Sequence, residues 1–298
     1  MSSIVKKDVD RFVFRGFPST GNVPRIYKIL CYGDQNTVGY SKNGNSPYGE
    51  CLAEALGDAG LFCEVTSCGL CDFTSEDLAN ALDAPYIEAG VGPSGKGLAY
   101  ILGKCQFDLV IIMVGTNDLG RRLDPVMIQA FTTKLHSACH VNGIPTVSIL
   151  PPTVSPDSDN NMFKEVRAIR KRLIEGMSMW FGSCEHVLLS LDCEATFRPG
   201  KAYSKSVTQS GKPDGICLSA LGSKQLAQEL ALQLASVLGQ LQQPRVEAVP
   251  NSQTCPKQVQ PSSQGSNKSV GYMKSAQDQM FIEGTLIMLP ASLRIVDS

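Results

Sequence analysis

Residues 108–114 restrict the fold of this chain more than any other segment. From Leu109 to Val114 the segment is continuously apolar and rich in β-branched side chains. Such a run is typical of a strand that is buried on both faces of a parallel sheet. Polar residues from Gly115 to Asp118 follow it. The segment therefore predicts a central strand whose carboxyl end carries polar side chains.

Strand-like and helix-like segments alternate along most of the chain. Strands are predicted at 27–32, 61–66, 108–114, 146–150 and 186–191, and helices at 46–60, 74–105 with interruptions, 124–142, 160–179 and 219–239. The helices are long enough to cross from one parallel strand to the next. The repeated alternation predicts an α/β domain with a parallel, doubly wound sheet.

Changes in composition suggest four parts. Residues 1–24 form an N-terminal tail or a short edge element, and residues 25–241 form the domain. Residues 242–270 are rich in Gln, Ser, Pro and Asn, which predicts a disordered linker. Residues 271–298 regain apolar character, so we expect a C-terminal segment that can dock on the domain.

Charge and cysteine content exclude some partners and favour a compartment. The net charge of −1 and the absence of a basic face argue against nucleic acid as a partner. No uninterrupted apolar run reaches the roughly 18 residues of a membrane span. Charges near the N-terminus take the place of a signal peptide's apolar core. With eleven cysteines, an odd number, we expect reduced thiols and a cytoplasmic location.

Polar or small residues follow three predicted strands and precede the last helix. The first group is Gly33, Asp34 and Gln35, the second contains Gly69, and the third contains Asn117. The segment 214–217 comes before the last helix. In open α/β sheets ligands bind just outside the carboxyl ends of the strands, so we expect a site there.

These groups, in order over about residues 25–240, resemble the SGNH (GDSL-type) hydrolases. That family contains esterases, lipases and acyl thioesterases. The resemblance implies a three-layer α/β/α fold with a flavodoxin-like parallel sheet of five strands. It implies an acyl ester or an acetylated carbohydrate as the small-molecule ligand, and neither a cofactor nor a metal.

The resemblance also implies roles for individual positions. Gln35 stands at the position of the nucleophilic serine, Cys217 at that of the histidine base, and Asp214 matches the carboxylate that orients the base. Gly69 and Asn117, with the backbone N–H at residue 35, match the donors of the oxyanion hole.

Two of the three triad positions are therefore substituted. An amide such as Gln35 does not attack an acyl carbon, and the Cys217 thiol is a poor base. One hypothesis is an esterase with impaired catalysis, in which Thr37 or Cys217 acts as an altered nucleophile. The neighbouring Asp214 would raise the pKa of the Cys217 thiol. The other is a non-catalytic pseudoenzyme that binds an acyl or carbohydrate ligand, or a protein partner.

Other candidate residues have simpler interpretations. Cys68 and Cys71 form a C-x-x-C pattern that suits a redox pair or half a zinc site, but we interpret them as two reduced cysteines in a turn. His136 and His140 lie four residues apart and could bind a metal, but we interpret them as part of a solvated or interface helix face. We expect Asp118 to anchor its loop by hydrogen bonds. A basic cluster is interpreted as a solvated face and comprises Lys164, Arg167, Arg170, Lys171 and Arg172.

Overall fold

The computed structural model describes most of the first 240 residues and a short hairpin beyond them. The described residues are 5–8, 11–16, 25–41, 44–152, 161–193, 217–240, 281–282 and 285–286. The chain divides into two compact units, Met1–Arg245 and Val246–Ser298. The linker predicted at 242–270 lies outside the described residues.

The first unit alternates strands and helices. Its strands are β1 (Val5–Asp8), β2 (Arg11–Gly16), β3 (Ile26–Gly33), β4 (Tyr40–Ser41), β5 (Gly44–Asn45), β6 (Phe62–Gly69), β7 (Leu109–Met113), β8 (Thr146–Leu150) and β9 (Val187–Asp192). Its helices are α1 (Gln35–Val38), α2 (Tyr48–Asp58), α3 (Ser75–Asn80), α4 (Leu98–Leu102), α5 (Thr116–Gly120), α6 (Pro125–His140), α7 (Asn161–Ser183) and α8 (Ala220–Gln240). In the second unit, β10 (Phe281–Ile282) pairs antiparallel with β11 (Thr285–Leu286).

Within the described part of the chain, the central sheet has seven strands in the order β1-β2-β6-β3-β7-β8-β9. From β6 to β9 all neighbours are parallel. In sequence order these parallel strands run 2-1-3-4-5, which is the flavodoxin-like arrangement. The predicted five-stranded parallel sheet is therefore confirmed.

Two antiparallel strands extend the edge of the sheet. β1 pairs with β2, and β2 pairs with β6. Val13 and Phe14 of β2 are buried, which explains why this short segment joins the sheet. Residues 5–8 and 11–16 thus form the edge element that the sequence left as one of two possibilities for the N-terminal tail.

Apolar clusters cover the two faces of the sheet. One packs side chains of α2 and α8 against β3, β6, β7 and β8. The other packs α3, α4 and α6 on the opposite face. Every residue of β7 is buried, as its apolar sequence predicted. None of the described helices has both the length and the apolar character that a membrane crossing requires.

Two expectations about exposed faces were wrong. Arg170, predicted on a solvated face of α7, is buried, pairs with Asp192 and donates to the carbonyl oxygen of Pro151. His136, predicted on a solvated or interface face of α6, is also buried and hydrogen-bonds Thr146. Both side chains are buried because a polar partner on the sheet lies within reach.

Candidate active-site cleft

The carboxyl end of β3 lies between the ends of β6 and β7, so the residues that follow these three strands are neighbours. Gly33 pairs with Gly69 of β6 and with Met113 of β7. A Cβ atom on Gly33 would lie 1.9 Å from the Met113 carbonyl oxygen. Only glycine therefore lets β3 and β7 approach so closely at this point, and the turn after β3 begins there.

Asp34 fastens the start of α1 to α5. Its carboxylate accepts hydrogen bonds from the backbone N–H of Asn36, at 3.0 Å, and of Thr116, also at 3.0 Å. The side chain is fully buried, and burial raises the pKa of Asp34 to about 6. The carboxylate is thus a structural acceptor that holds two loops of the cleft together.

The side chains of Gln35 and Asn117 form a reciprocal amide pair. Gln35 Nε2 donates to Asn117 Oδ1 at 3.0 Å, and Asn117 Nδ2 donates to Gln35 Oε1 at 2.7 Å. Asn117 Nδ2 also donates to the Phe73 carbonyl oxygen at 2.7 Å. Since an amide nitrogen carries two protons, both Asn117 protons are engaged within the protein.

Gly69 lies directly against the α1 turn. A Cβ at this position would be 2.6 Å from Val38 N and 2.7 Å from Asp34 O. On the other side of the cleft, Asp118 accepts hydrogen bonds from Ser75 N at 2.9 Å and from Ser75 Oγ at 2.6 Å. The predicted role of Asp118 as an anchor for its loop is confirmed.

Asn36 joins this edge to the start of the last helix. Its Nδ2 donates to Thr116 Oγ1 at 2.9 Å, and its Oδ1 accepts the backbone N–H of Leu218 at 2.8 Å. Cys217, which directly precedes Leu218, is buried. Asp214 lies outside the described residues. Sequence reasoning missed Asn36, because only its contact with a residue 182 positions away reveals the role.

Thr37, one alternative nucleophile, does not face the cleft. Thr37 is fully buried. The hydroxyl lies 2.6 Å from where a Gly33 Cβ would be, beneath the turn. An ester in the cleft cannot reach this oxygen unless the backbone moves.

The secondary candidate sites hold their groups in other contacts. Cys68 and Cys71 are buried thiols rather than a disulfide. His136 Nδ1 and His140 Nε2 both contact the Thr146 hydroxyl. Within the described ranges, no group of three or more His, Cys, Asp or Glu side chains is arranged to hold a metal ion.

The raised pKa of Asp34 makes the free energy of unfolding depend on pH. The pKa of Asp34 is about 6 in the folded protein, against about 3.9 for an unfolded aspartate. Between these values the folded state keeps a proton that the unfolded state has released. The free energy of unfolding should therefore fall by up to about 3 kcal/mol as the pH rises from about 4 to 7.

Urea unfolding at several pH values measures this effect against the Asp34→Asn variant. The variant loses one acceptor oxygen, which lowers its stability at every pH. Contributions from other titrating groups largely cancel in the difference between the two proteins. That difference should shrink as the pH rises, and a pH-independent difference would contradict the raised pKa.

Comparisons with known proteins identify the fold. Neither a protein-family model nor a curated protein matches this sequence. A family 3 carbohydrate esterase from Clostridium thermocellum is structurally similar, with 15% identity and a TM-score of 0.52, over 73% of this chain and 99% of that one. This similarity supports the three-layer α/β fold with a flavodoxin-like parallel sheet that the sequence predicted.

Two further solved structures have slightly lower TM-scores. A member of the lipolytic G-D-S-L protein family from Veillonella parvula has 14% identity and a TM-score of 0.49, over 70% of this chain and 98% of that one. A mutant of an acetyl-xylooligosaccharide esterase from Geobacillus has 16% identity and a TM-score of 0.48, over 70% and 94%.

Proposed function

We propose that this chain uses an esterase-like fold without the esterase reaction. In this proposal the protein is a pseudoenzyme that binds a ligand or a partner in the retained cleft. The observation that carries the proposal is the amide pair between Gln35 and Asn117. The pair brings an unreactive group to the nucleophile position and engages an oxyanion donor at the same time.

The first part of the argument concerns the oxyanion. Ester hydrolysis passes through a tetrahedral intermediate whose negative oxygen needs N–H donors within about 2.7–3.1 Å. Asn117 directs its two N–H groups at Gln35 Oε1 and Phe73 O, each at 2.7 Å. A substrate carbonyl must displace the Gln35 side chain before Asn117 can stabilise it.

The second part concerns the reactive groups. The Gln35 amide has neither an acidic proton nor a basic lone pair suited to attack on an acyl carbon. Cys217 stands where a base is required, and a thiol does not take a proton from a hydroxyl near neutral pH. Losing the nucleophile or the base of a triad lowers the rate by about 10⁶-fold in well-studied enzymes.

The fold suggests the class of ligand. The Clostridium relative is a carbohydrate esterase. We propose an acetylated carbohydrate or an acyl ester as the small-molecule ligand of this chain, with a protein partner as the alternative. We propose a cytoplasmic location, in line with the reduced thiols that the odd number of cysteines predicts.

A second candidate function is weak ester hydrolysis with Cys217 as the nucleophile. The observation in its favour is the hydrogen bond between Leu218 N and Asn36 Oδ1, which keeps the residue next to Cys217 beside the start of α1. The burial of Cys217 argues against it, because a buried thiol has little access to a substrate.

Ester hydrolysis by the wild-type protein tests the proposal. We expect no turnover of p-nitrophenyl acetate or butyrate above the rate of the Asn117→Ala variant. That variant is the matched control, since it removes the oxyanion donor while Gln35 remains. Wild-type turnover that is lost in Asn117→Ala would refute the pseudoenzyme, and loss in Cys217→Ala would then identify the thiol as the nucleophile.

A further inference from the structure

A cavity of about 540 Å³ lies at the amino ends of β3 and β7, at the opposite end of the strands from Gln35. Loops that connect α4 to β7 and α6 to β8 complete its wall. The residues that line it include Arg25, Lys28, Leu102, Phe107, Asp108 and Ile144. Its volume falls within the roughly 300–1,000 Å³ that is usual for small-molecule sites.

Lys28 enters this cavity from an interior strand of the sheet. The side chains of β3 alternate between the two faces of the sheet, so Lys28 lies on the same face as Leu30. Leu30 is buried beneath α3, α4 and α6, whereas Lys28 is exposed. Because α4 ends at Leu102, the described helices leave this face of β3 open at Lys28.

The acidic residues on the strands beside Lys28 already have partners. Glu64 of β6 is in register with Lys28, and its Oε2 accepts from Arg15 Nε at 3.2 Å and from Arg15 Nη2 at 3.1 Å. Asp108 accepts from the Arg25 guanidinium through Oδ1 and from Lys28 N through Oδ2, the latter at 2.9 Å. Each carboxylate is thus paired with an arginine of its own.

The ammonium group of Lys28 is therefore left over. Among the described residues it forms neither an ion pair nor a side-chain hydrogen bond. The two ion pairs and Lys28 together have three positive and two negative charges, a net charge of +1. A free positive charge in a cavity favours an anionic ligand.

A cation is a less suitable ligand, because the oxygen atoms around the cavity are engaged. Both carboxylate oxygens of Asp108 accept hydrogen bonds. At the end of α6, Asn142 Nδ2 donates to the Ala138 carbonyl oxygen at 2.8 Å, and Gly143 N donates to that of His140 at 2.9 Å. The turn thus satisfies carbonyl groups that would otherwise attract a cation.

Apolar side chains form much of the remaining wall. Leu102, Phe107 and Ile144 are half-buried, and Ile26 is 55% exposed. Ile26 and Phe62 also line a smaller cavity of about 280 Å³, so the apolar surface continues towards β6. A ligand with an apolar body would remove this surface from water.

We propose that this cavity binds a small organic anion, with a carboxylate at Lys28 and an apolar body against Ile26, Phe107 and Ile144. The carboxylate accepts a charge-assisted hydrogen bond from the ammonium, which is stronger than a bond between neutral groups. The site lies at the opposite end of the sheet from the cleft, and it does not depend on the proposed function.

Isothermal titration calorimetry of the intact chain with octanoate tests the proposal. Octan-1-ol and octylammonium keep the apolar chain and replace the anionic head group by a neutral and a cationic one. We expect octanoate to bind at least about tenfold more tightly than either compound, because only its head group pairs with Lys28. If octanoate bound no more tightly than octan-1-ol, the wild-type protein alone would overturn the proposal.

Substitution of Lys28 tests its role in the site. Lys28→Gln should weaken octanoate binding about tenfold and leave octan-1-ol binding unchanged, whereas Lys28→Arg should keep octanoate binding. Lys104→Gln is the matched control, since the Lys104 ammonium lies 5.7 Å from the centre of the Tyr100 ring and outside the cavity lining. An unchanged affinity in Lys28→Gln, or an equal loss in both glutamine variants, would contradict a site at Lys28.

Cys105 shows whether octanoate occupies this cavity. Cys105 lines the cavity, whereas Cys184 is a half-buried thiol outside it. Saturating octanoate should slow the labelling of Cys105 by N-ethylmaleimide and leave that of Cys184 unchanged, as measured by peptide mass spectrometry. Because the cleft is itself proposed to bind an acyl ligand, this measurement separates the two sites. Bound octanoate that leaves Cys105 unprotected would overturn the proposal.

Discussion

The double variant Gln35→Ser/Cys217→His is expected to hydrolyse p-nitrophenyl acetate at least about 10²-fold faster than the wild-type protein. Removing a triad member lowers the rate by about 10⁶-fold in well-studied enzymes. A gain of about 10²-fold therefore requires only a small part of that loss to be restored. The serine supplies a nucleophile, and its short side chain releases Asn117 Nδ2 from the bond with Gln35 Oε1. The histidine supplies the missing base.

Each single variant should stay close to the wild-type rate. Gln35→Ser opens the oxyanion hole but has no base to activate the hydroxyl. Cys217→His adds a base, but the Gln35 amide still binds Asn117 and no nucleophile is present. Residues that act as a unit in catalysis are strongly non-additive, so the gain should appear only in the double variant.

Gln35→Ala is the matched control for the double variant. It releases Asn117 without adding a nucleophile, so it separates the opening of the hole from the new chemistry. Initial rates over a range of substrate concentrations give kcat and KM for each protein. A folded double variant that is no more active than Gln35→Ala would contradict a cleft that lacks only its reactive groups.

The sequence predicted the parallel sheet well because burial on both faces leaves a strong local signal. β7 is apolar throughout, and its last residues lead directly into the polar turn of α5. The alternation of strands and helices, with right-handed crossovers, then restricts the order of the strands. The β1 and β2 strands left a weaker signal, since they are short and interspersed with charged residues.

The hydrogen bonds of the cleft were less predictable from the sequence than the positions of the residues that form it. Strand ends brought Gln35, Gly69 and Asn117 to one edge, as the sequence suggested. The amide pair joins side chains 82 residues apart, and both side chains are also ordinary in solvated loops. Hydrogen bonds of this kind depend on rotamers and on loop geometry, which no local pattern encodes.

The burial of Arg170 could not be predicted from the sequence for a similar reason. On α7 it lies among basic residues that favour a solvated face, and Glu165 and Glu175 are interleaved with them. Its partners come from distant parts of the chain, since Pro151 follows β8 and Asp192 ends β9. The contact connects α7 to the carboxyl ends of two strands, next to the edge that carries the cleft.

Removing the partner of Arg170 should destabilise the protein strongly. Arg170 is 3% exposed, so the Asp192→Ala variant would leave a buried guanidinium without its carboxylate. The bond from Arg170 Nε to the Pro151 carbonyl oxygen, at 2.8 Å, goes to a neutral acceptor and does not replace the lost negative charge. Breaking a buried ion pair in this way typically lowers the free energy of unfolding by about 3–5 kcal/mol.

The same helix provides an exposed ion pair as the control. Glu165 Oε2 lies 3.2 Å from Arg122 Nη1, with side chains 53% and 50% exposed. Water already solvates both charges, so Glu165→Ala should change the free energy of unfolding by no more than about 1 kcal/mol. Urea unfolding of the two variants and the wild-type protein compares the loss of a carboxylate in a buried and in an exposed ion pair. Equal effects would show that water reaches Arg170 and that α7 is not held to β8 and β9 by a desolvated charge.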